Sequence, residues 1–191
     1  MMFEKKELSE LKRLTIEEFK AKEKIPLVVV LDNIRSQHNV GAVFRTSDAF
    51  LVEKIYLCGI TATPPNREIH KAALGATESV KWAYVERTID AVSHLKNQGF
   101  SIFALEQTQN SVLLSELSEL SETHVQQSQL PTPIALILGN EVDGISNDII
   151  PLIDAALEIP QFGTKHSLNV SVSAGIAIWE IFKKIKKCTN F

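Results

Sequence analysis

The chain has 191 residues, 45% of them hydrophobic and 23% charged, with a formal net charge of −3. This length suits one domain with a sizeable core. The composition excludes a disordered chain and a membrane protein. Charged residues at the N-terminus occupy the place where a secretory signal peptide needs an apolar segment, so we expect a cytoplasmic protein. Cys58 and Cys188 lie too far apart to suggest a paired metal or disulfide motif, so we expect free thiols and no metal site.

Basic residues are concentrated at the two ends of the chain. The net negative charge does not favour a nucleic-acid partner, because phosphate binding requires local positive potential. The two clusters are either solvated helix faces or a local phosphate-binding surface, and the sequence leaves both interpretations open. They consist of Lys5, Lys6, Lys12, Arg13, Lys20, Lys22 and Lys24 near the start, and of Lys183, Lys184, Lys186 and Lys187 near the end.

The hydrophobic pattern predicts alternating strands and helices. Residues 4–22 carry apolar side chains at helical spacing, which predicts a helix within an N-terminal extension (1–24) ahead of the main domain (25–191). Pro26 then opens an unbroken apolar run to Leu31, which is typical of a strand buried on both faces. Further strands are predicted at 54–58, 82–85, 101–105, 133–138 and 155–159, and helices at 40–51, 67–74, 88–97, 146–153 and 168–187.

Six strands alternating with helices predict an α/β fold with a mainly parallel six-stranded sheet and helices on both faces. In such sheets, ligands bind beyond the carboxyl ends of the strands.

The polar segment 107–132 interrupts the pattern and contains the three-residue repeat LSELSELSE at 114–122. Because a period of three cannot keep one apolar stripe along an α-helix, we expect a surface excursion there.

The first motif follows the first predicted strand and runs from Asp32 to Thr46. Asn39 is suited to cap the next helix, and Gly41 permits close approach of a backbone or a ligand. Arg45 lies one helical turn beyond Gly41. The segment is either a capped helix with a surface arginine or a polar site, and His38 is more simply an exposed loop histidine than a base.

The second motif, residues 136–146, takes a buried strand into a turn between Gly139 and Gly144. A glutamate in this turn, Glu141, could orient an amide or a guanidinium group. Ser146 is predicted to cap the next helix. The motif lacks the lysine of a P-loop and the ligand spacing of an EF-hand.

The third motif, residues 159–174, joins a strand end and a glycine-containing loop to a helix. Ser167, Asn169, Ser171 and Ser173 surround the start of this helix, which is more small polar residues than capping requires. The loops at Gly139 and Ile159 could offer backbone N–H and C=O groups to a flat heterocycle.

Together, the three motifs resemble the SpoU family of RNA 2′-O-ribose methyltransferases, within the SPOUT superfamily. The family patterns Asn-x-Gly-x-x-x-Arg, Gly-x-Glu-x-x-Gly and Ile-Pro…Ser-Leu-Asn-Val-Ser occur in order and in register between Pro26 and Lys187. The chain departs from the family at Gln161, where a methionine is usual.

The resemblance implies a deep C-terminal trefoil knot at about 134–187, a homodimer with its site at the subunit interface, and S-adenosylmethionine as cofactor. The catalytic arginine of the family falls on Arg45. The positions that line and support it are Asn39, Glu141, Ser167 and Asn169, and the positions that surround the cofactor are Leu105, Gly139, Ile159 and Leu168.

The implied reaction methylates a ribose 2′-hydroxyl in tRNA or rRNA. About 25 residues precede Pro26, so we expect the N-terminal helix and the basic C-terminal end, and no separate domain, to supply additional RNA contacts. We favour structured tRNA over rRNA. The proton acceptor is either the arginine or a substrate phosphate.

An oxidoreductase is disfavoured because no Gly-x-Gly-x-x-Gly follows the first strand. A non-catalytic RNA-binding dimer of the same fold is the remaining alternative, and the presence of Arg45, Glu141 and Asn169 favours an enzyme.

Overall fold

The structure, a computed structural model, describes residues 4–117 and 130–188. Its described strands form one sheet of seven strands in the order β3-β2-β1-β6-β4-β7-β5, and each pairing is parallel. The α/β class and the parallel sheet are confirmed, whereas the prediction of six strands is wrong by one. The strands are β1 (Ile25–Asp32), β2 (Val52–Cys58), β3 (Lys81–Val85), β4 (Ser101–Leu105), β5 (Val112–Leu113), β6 (Ile134–Leu138) and β7 (Ala155–Glu158).

Helices pack against both faces of this sheet. The side chains of β1 explain why, since Leu27, Val29 and Leu31 enter the core beneath α2 and α6, whereas Val28 and Val30 enter a second core beneath α5. The predicted burial of β1 on both faces is confirmed. The helices are α1 (Ile16–Ala21), α2 (Gln37–Ala49), α3 (Arg67–Ala73), α4 (Ala76–Ser79), α5 (Thr88–Asn97) and α6 (Val170–Cys188), and short 3₁₀ helices span Leu8–Leu11, Leu114–Glu116 and Ile150–Leu152.

The N-terminal segment is not the single helix predicted over 4–22. A left-handed residue, Lys12 (φ 43°), separates the first 3₁₀ helix from α1. Thr15 then starts α1 with a capping box, in which its hydroxyl accepts from the Glu18 N–H and the Glu18 carboxylate accepts from the Thr15 N–H. Phe19 on α1 is only 4% exposed and belongs to the main core, so the extension packs onto the domain.

The segment 107–132 is not purely a surface excursion. Val112–Leu113 forms the edge strand β5 against β7, and Leu114 and Leu117 are buried. Their three-residue spacing equals one turn of a 3₁₀ helix and places both leucines on the same side. The rest of the LSELSELSE repeat lies in 118–129, outside the described residues.

The helix predicted over 146–153 is also absent, and turns lead instead into the 3₁₀ helix Ile150–Leu152. Pro151 explains the difference, because proline inside an α-helix lacks the N–H and clashes with the preceding turn. The other predicted elements agree with the structure to within about three residues at each end. Three short elements were not predicted, namely α4, β5 and the 3₁₀ helix Leu114–Glu116.

Candidate active site at the carboxyl ends of the strands

A cavity of about 500 Å³ lies at the carboxyl ends of β4, β6 and β7. Its wall is formed by the loops that follow these strands and by the first turn of α6, where parallel α/β sheets place their ligands. Each cofactor position implied by the resemblance reaches this one cavity. Its lining includes Leu105, Glu106, Gln107, Leu138, Gly139, Asn140, Glu141, Val142, Gly144, Glu158, Ile159, Gln161, His166, Ser167, Leu168, Asn169, Val170 and Ser173.

The loop after β6 forms a closed turn between its two glycines. The Asn140 N–H donates to the Gly144 carbonyl at 2.8 Å, and the Gly144 N–H donates back to the Asn140 carbonyl at 3.0 Å. A Cβ at Gly139 would lie 2.4 Å from the carbonyl carbon of Gly144, and Gly144 itself has a φ of +71°. Only glycine therefore fits at either position without rearranging the turn.

Two carboxylates accept hydrogen bonds from backbone N–H groups at the end of this loop. Glu106 accepts from the Ile145 N–H at 3.0 Å, and Asp32 accepts from the Ser146 N–H at 2.7 Å. Asp32 is completely buried and also accepts from the Thr88 hydroxyl at 2.5 Å. Ser146 is therefore bound to the end of β1, and its predicted role as a helix cap is wrong.

Asn39, Glu141 and Asn169 form a hydrogen-bonded chain that joins the three motifs. The Nδ2 of Asn39 donates to Oε1 of Glu141 at 3.0 Å, and the Nδ2 of Asn169 donates to Oδ1 of Asn39 at 3.1 Å. Asn39 is 7% exposed, so its amide is buried with both of these partners. We call these three residues the motif triad.

The Glu141 carboxylate accepts several hydrogen bonds besides the one within the motif triad. The backbone N–H groups of Arg35 and Ser36 donate to it at 3.1 and 3.4 Å. Partial burial raises the pKa of this carboxyl, but the donors from its own backbone, Arg35, Asn39 and Ser36 together hold the pKa below its ordinary value of 4.5. Glu141 therefore stays ionised at neutral pH and fixes the start of α2 against the loop after β6.

The helix caps differ from those predicted in the first motif. Ser36, not Asn39, caps α2, since its hydroxyl accepts from the Asn39 N–H at 3.3 Å. Asn39 lies inside the helix, and its side-chain amide belongs to the motif triad instead. At the other helix, the Asn169 Oδ1 accepts from the Ser171 and Val172 N–H groups at 2.9 and 3.4 Å, so Asn169 caps α6.

The first motif places its glycine and its arginine in different surroundings. Gly41 is covered by α3, and a Cβ there would lie 2.4 Å from the Ile69 carbonyl oxygen. Arg45 is exposed, lies outside the cavity lining, and makes no hydrogen bond or ion pair with any residue in 4–117 or 130–188. His38 lies exposed in the first turn of α2, not in a loop. The structure thus gathers every predicted site residue at or beside the cavity except Arg45.

Several cavity residues were not found from the sequence. They include Glu106 and Gln107, which follow β4, and Glu158, which ends β7; both strands were predicted only as parts of the core. His166 was predicted only as part of a loop. A usable signal was present, because Glu106 directly follows the apolar run of β4, where a site residue belongs in a parallel sheet. Gln161, noted as a departure from the family pattern, also lines the cavity.

The described residues contain no cluster of three or more histidine, cysteine or carboxylate side chains that could hold a metal ion. Cys58 is buried and unbridged. Burial, reinforced by the charge of Asp32, raises the pKa of its thiol to about 12. No helix in the described part of the chain has the length and apolar character of a membrane span.

Sequence comparison finds RNA methyltransferases among the similar proteins. The tRNA (guanosine(18)-2′-O)-methyltransferase of Aquifex aeolicus (strain VF5) is 34% identical over 158 residues, which cover 81% of this chain and 67% of that protein. The 23S rRNA (guanosine-2′-O-)-methyltransferase RlmB of Neisseria meningitidis serogroup B is 32% identical over 155 residues, which cover 81% of this chain and 57% of that protein. This chain thus spans about two thirds or less of their lengths.

The fold comparison gives the same assignment. The crystal structure of the A. aeolicus TrmH/SpoU tRNA modifying enzyme matches with a TM-score of 0.75 and 27% identity, covering 91% of this chain and 83% of that one. A sequence model of the SpoU rRNA Methylase family matches residues 26–179, a range that contains all three motifs. The chain therefore belongs to the SpoU rRNA Methylase family.

Proposed function

We propose that this chain transfers a methyl group from S-adenosylmethionine to a ribose 2′-hydroxyl of structured RNA, tRNA in preference to rRNA, and works as a homodimer. The observation that carries the proposal is the motif triad at the rim of the cavity. It connects the three family motifs through hydrogen bonds of 3.0 and 3.1 Å. The preference for tRNA is supported by the tRNA methyltransferase of A. aeolicus.

The cavity suits a cationic nucleoside cofactor. Its volume of about 500 Å³ lies within the range of small-molecule sites. The closed turn between Gly139 and Gly144 forms part of the cavity wall, and the acidic residues Glu106 and Glu158 are among the lining residues. We assign Leu105, Gly139, Ile159 and Leu168 to hold the cofactor. When bound, S-adenosylmethionine supplies an electrophilic methyl group on a sulfonium sulfur.

The protein must then position the ribose hydroxyl and provide for its proton. Arg45 is our choice for the first task, because its guanidinium is exposed and free of partners among the described residues, and its planar fork can hold a hydroxyl and a phosphate together. It stabilises the negative charge that develops on the hydroxyl oxygen.

Neither Arg45 nor Glu141 is suited to accept the proton. An arginine guanidinium is not deprotonated in proteins, so it has no free lone pair with which to take a proton. The Glu141 carboxylate has its pKa held below the ordinary range by four donors, which makes it a weaker base than a free glutamate. We therefore assign the proton to a phosphate of the RNA and give Glu141 a positioning role within the motif triad.

The dimer is supported by an apolar face on α6. Leu168, Val172, Ile176 and Trp179 recur at spacings of four, four and three residues and are 39, 50, 36 and 44% exposed. Trp179 also stacks with Phe182 and contacts Phe50 on the neighbouring loop, with ring centroids 5.9 and 5.4 Å apart. We call Val172, Ile176 and Trp179 the α6 face. Since α6 packs against α2, a second subunit bound there lies near the helix that carries Arg45.

A C-terminal trefoil knot at about 134–187 also belongs to this proposal. The order of the sheet supports it, because β6 enters between β1 and β4, and β7 enters between β4 and the earlier strand β5. After β7 the chain returns to α6, which contacts both α2 and the 3₁₀ helix Leu114–Glu116. Such threading is exceptional among folds.

The test is methyl transfer to unmodified total RNA. The protein is incubated with tritium-labelled S-adenosylmethionine, the RNA is fractionated by size, and labelled nucleosides are mapped. We expect a 2′-O-methylated nucleoside in the tRNA fraction. Label on a base, or no transfer despite cofactor binding by calorimetry, would contradict the proposal, whereas label in rRNA would contradict only the substrate preference.

A further inference from the structure

The loop that joins β7 to α6 presents a fully exposed phenylalanine. Phe162 is 96% exposed, the highest value among the large hydrophobic side chains in the described residues. Gln161, which precedes Phe162 in the chain, lines the cavity, and so do His166 and Ser167, which follow it. The ring of Phe162 therefore lies in solvent on a loop whose two ends both border the cavity.

The Phe162 ring does not contribute to the core of the folded chain. A side chain with 96% exposure buries almost no area, so it contributes little to the free energy of folding. Exposed large apolar groups beside a candidate site, unlike those scattered singly over the surface, point to a binding role. Val142, 70% exposed and also on the cavity lining, provides a second apolar group at this rim.

The charge beside Phe162 defines the ligand chemistry. Lys165 and His166 follow it in the same loop, both are exposed, and neither makes an ion pair with a described residue. A flat apolar ring beside the Lys165 ammonium matches one nucleotide, whose base offers a π-face and whose phosphate offers negative charge. A second subunit would match the apolar ring but not the unpaired Lys165.

We propose that Phe162 is the stacking platform for the base of the nucleotide whose ribose is methylated. The base is unstacked from the RNA and lies on the Phe162 ring, which holds the attached ribose at the cavity mouth. This inference rests on the proposed function. It gives the protein a means of selecting an accessible, single-stranded target nucleotide without reading its identity.

The test compares Phe162→Ala, Phe162→Leu and Phe162→Trp, with Leu74→Ala as the matched control. Leu74 is 67% exposed and lies outside the cavity lining, so the control removes a similar exposed apolar group elsewhere. The probes are an unmodified tRNA transcript and S-adenosylmethionine, and the measurements are the Kd for each and single-turnover methylation.

We expect Phe162→Ala and Phe162→Leu to raise the Kd for the transcript on the order of tenfold, with methylation falling in parallel, because base–aromatic stacking is lost. Phe162→Trp should restore wild-type affinity. The Kd for S-adenosylmethionine and the melting temperature should not change. Because no charge is removed, the slope of log affinity against log salt should stay constant, whereas Lys165→Ala should reduce it by about 0.7.

Four outcomes would overturn the inference. Unchanged transcript affinity in Phe162→Ala would show that the ring does not bind RNA, and full activity in Phe162→Leu would show that stacking is not required. Dissociation of Phe162→Ala into monomers by light scattering would assign the ring to a subunit interface. A wild-type protein that neither binds nor methylates the transcript would overturn the proposed function together with this inference.

Discussion

The side-chain amide of Asn169 contacts Asn39 across 130 residues of sequence, with Nδ2 3.1 Å from Oδ1. The same amide caps α6 through its oxygen, which accepts from the Ser171 N–H at 2.9 Å. Because the oxygen and the nitrogen have different partners, the amide can take only one orientation. One residue thus couples the start of α6 to the motif triad.

The two roles of Asn169 can be separated by substitution. Asn169→Ser keeps an N-cap oxygen but loses the donor to Asn39, so we expect stability within about 0.5 kcal/mol of wild type and methylation reduced at least tenfold. Asn169→Ala loses both roles and should also lose about 1 kcal/mol of stability. Thermal melting and kcat/KM are measured for each variant. Wild-type activity in Asn169→Ser would remove the motif triad from the mechanism.

Arg45 should be required for the reaction but not for cofactor binding. Arg45→Ala should abolish methyl transfer while the Kd for S-adenosylmethionine stays within a few-fold, because the assigned partner of Arg45 is the ribose hydroxyl. Arg45→Lys should rescue poorly, since an ammonium group lacks the planar fork. Single-turnover rates and melting temperatures are compared. Near-normal rates with lysine, or unfolding with alanine, would make the catalytic assignment wrong.

Glu141→Gln should make a pH-dependent difference to stability. The folded-state pKa of Glu141 lies below its ordinary value of 4.5, so the carboxylate stabilises the fold above about pH 4.5 and loses this effect as the pH falls through the lowered pKa. The variant should be less stable at pH 7 by no more than about 1 kcal/mol, because solvent screens this largely exposed group. The difference should vanish in acid. Urea unfolding of both proteins from pH 7 to 3 checks this, and a difference that grows in acid would contradict it.

The native protein should be a dimer of about 43 kDa, twice the chain mass of 21.3 kDa. Val172→Glu places a charge on the half-exposed α6 face and should give a folded monomer in light scattering. Leu74→Glu, at a residue 67% exposed on another surface, is the control and should remain dimeric. A wild-type monomer that is fully active would contradict the dimer proposal.

The N-terminal basic residues should contribute to RNA affinity through their charge alone. Deleting residues 1–24 would not test this cleanly, because the deletion also removes the buried Phe19 from the core. Replacing six exposed residues by glutamine leaves Phe19 in place and should reduce the salt dependence of tRNA binding by about 0.9 per lost duplex phosphate contact. An unchanged salt slope would mean that these side chains are only solvated. The six are Lys5, Lys6, Lys12, Arg13, Lys20 and Lys22.

Local sequence patterns predicted most of the strands and helices, because the conformation of a short segment depends largely on its neighbouring residues. The run from Pro26 to Leu31 is typical of a strand buried on both faces, and the structure confirms this prediction. Errors occurred where packing overrode the pattern. Leu114 and Leu117 are drawn into the core by a 3₁₀ turn, and Asn39 gives up the helix cap to Ser36 because its amide bonds to Glu141 and Asn169.

The fold class, the order of the three motifs and the family resemblance all follow from the spacing of residues along the chain. How those residues meet depends on the packing of the strands and helices. The contacts of Asn39 with Glu141 and Asn169 span 102 and 130 residues, and they arise because parallel strands deliver their loops to the same edge of the sheet. The same packing left Arg45 exposed and Asp32 buried, although both belong to one motif, because one lies on the outer face of α2 and the other at the end of the central strand β1.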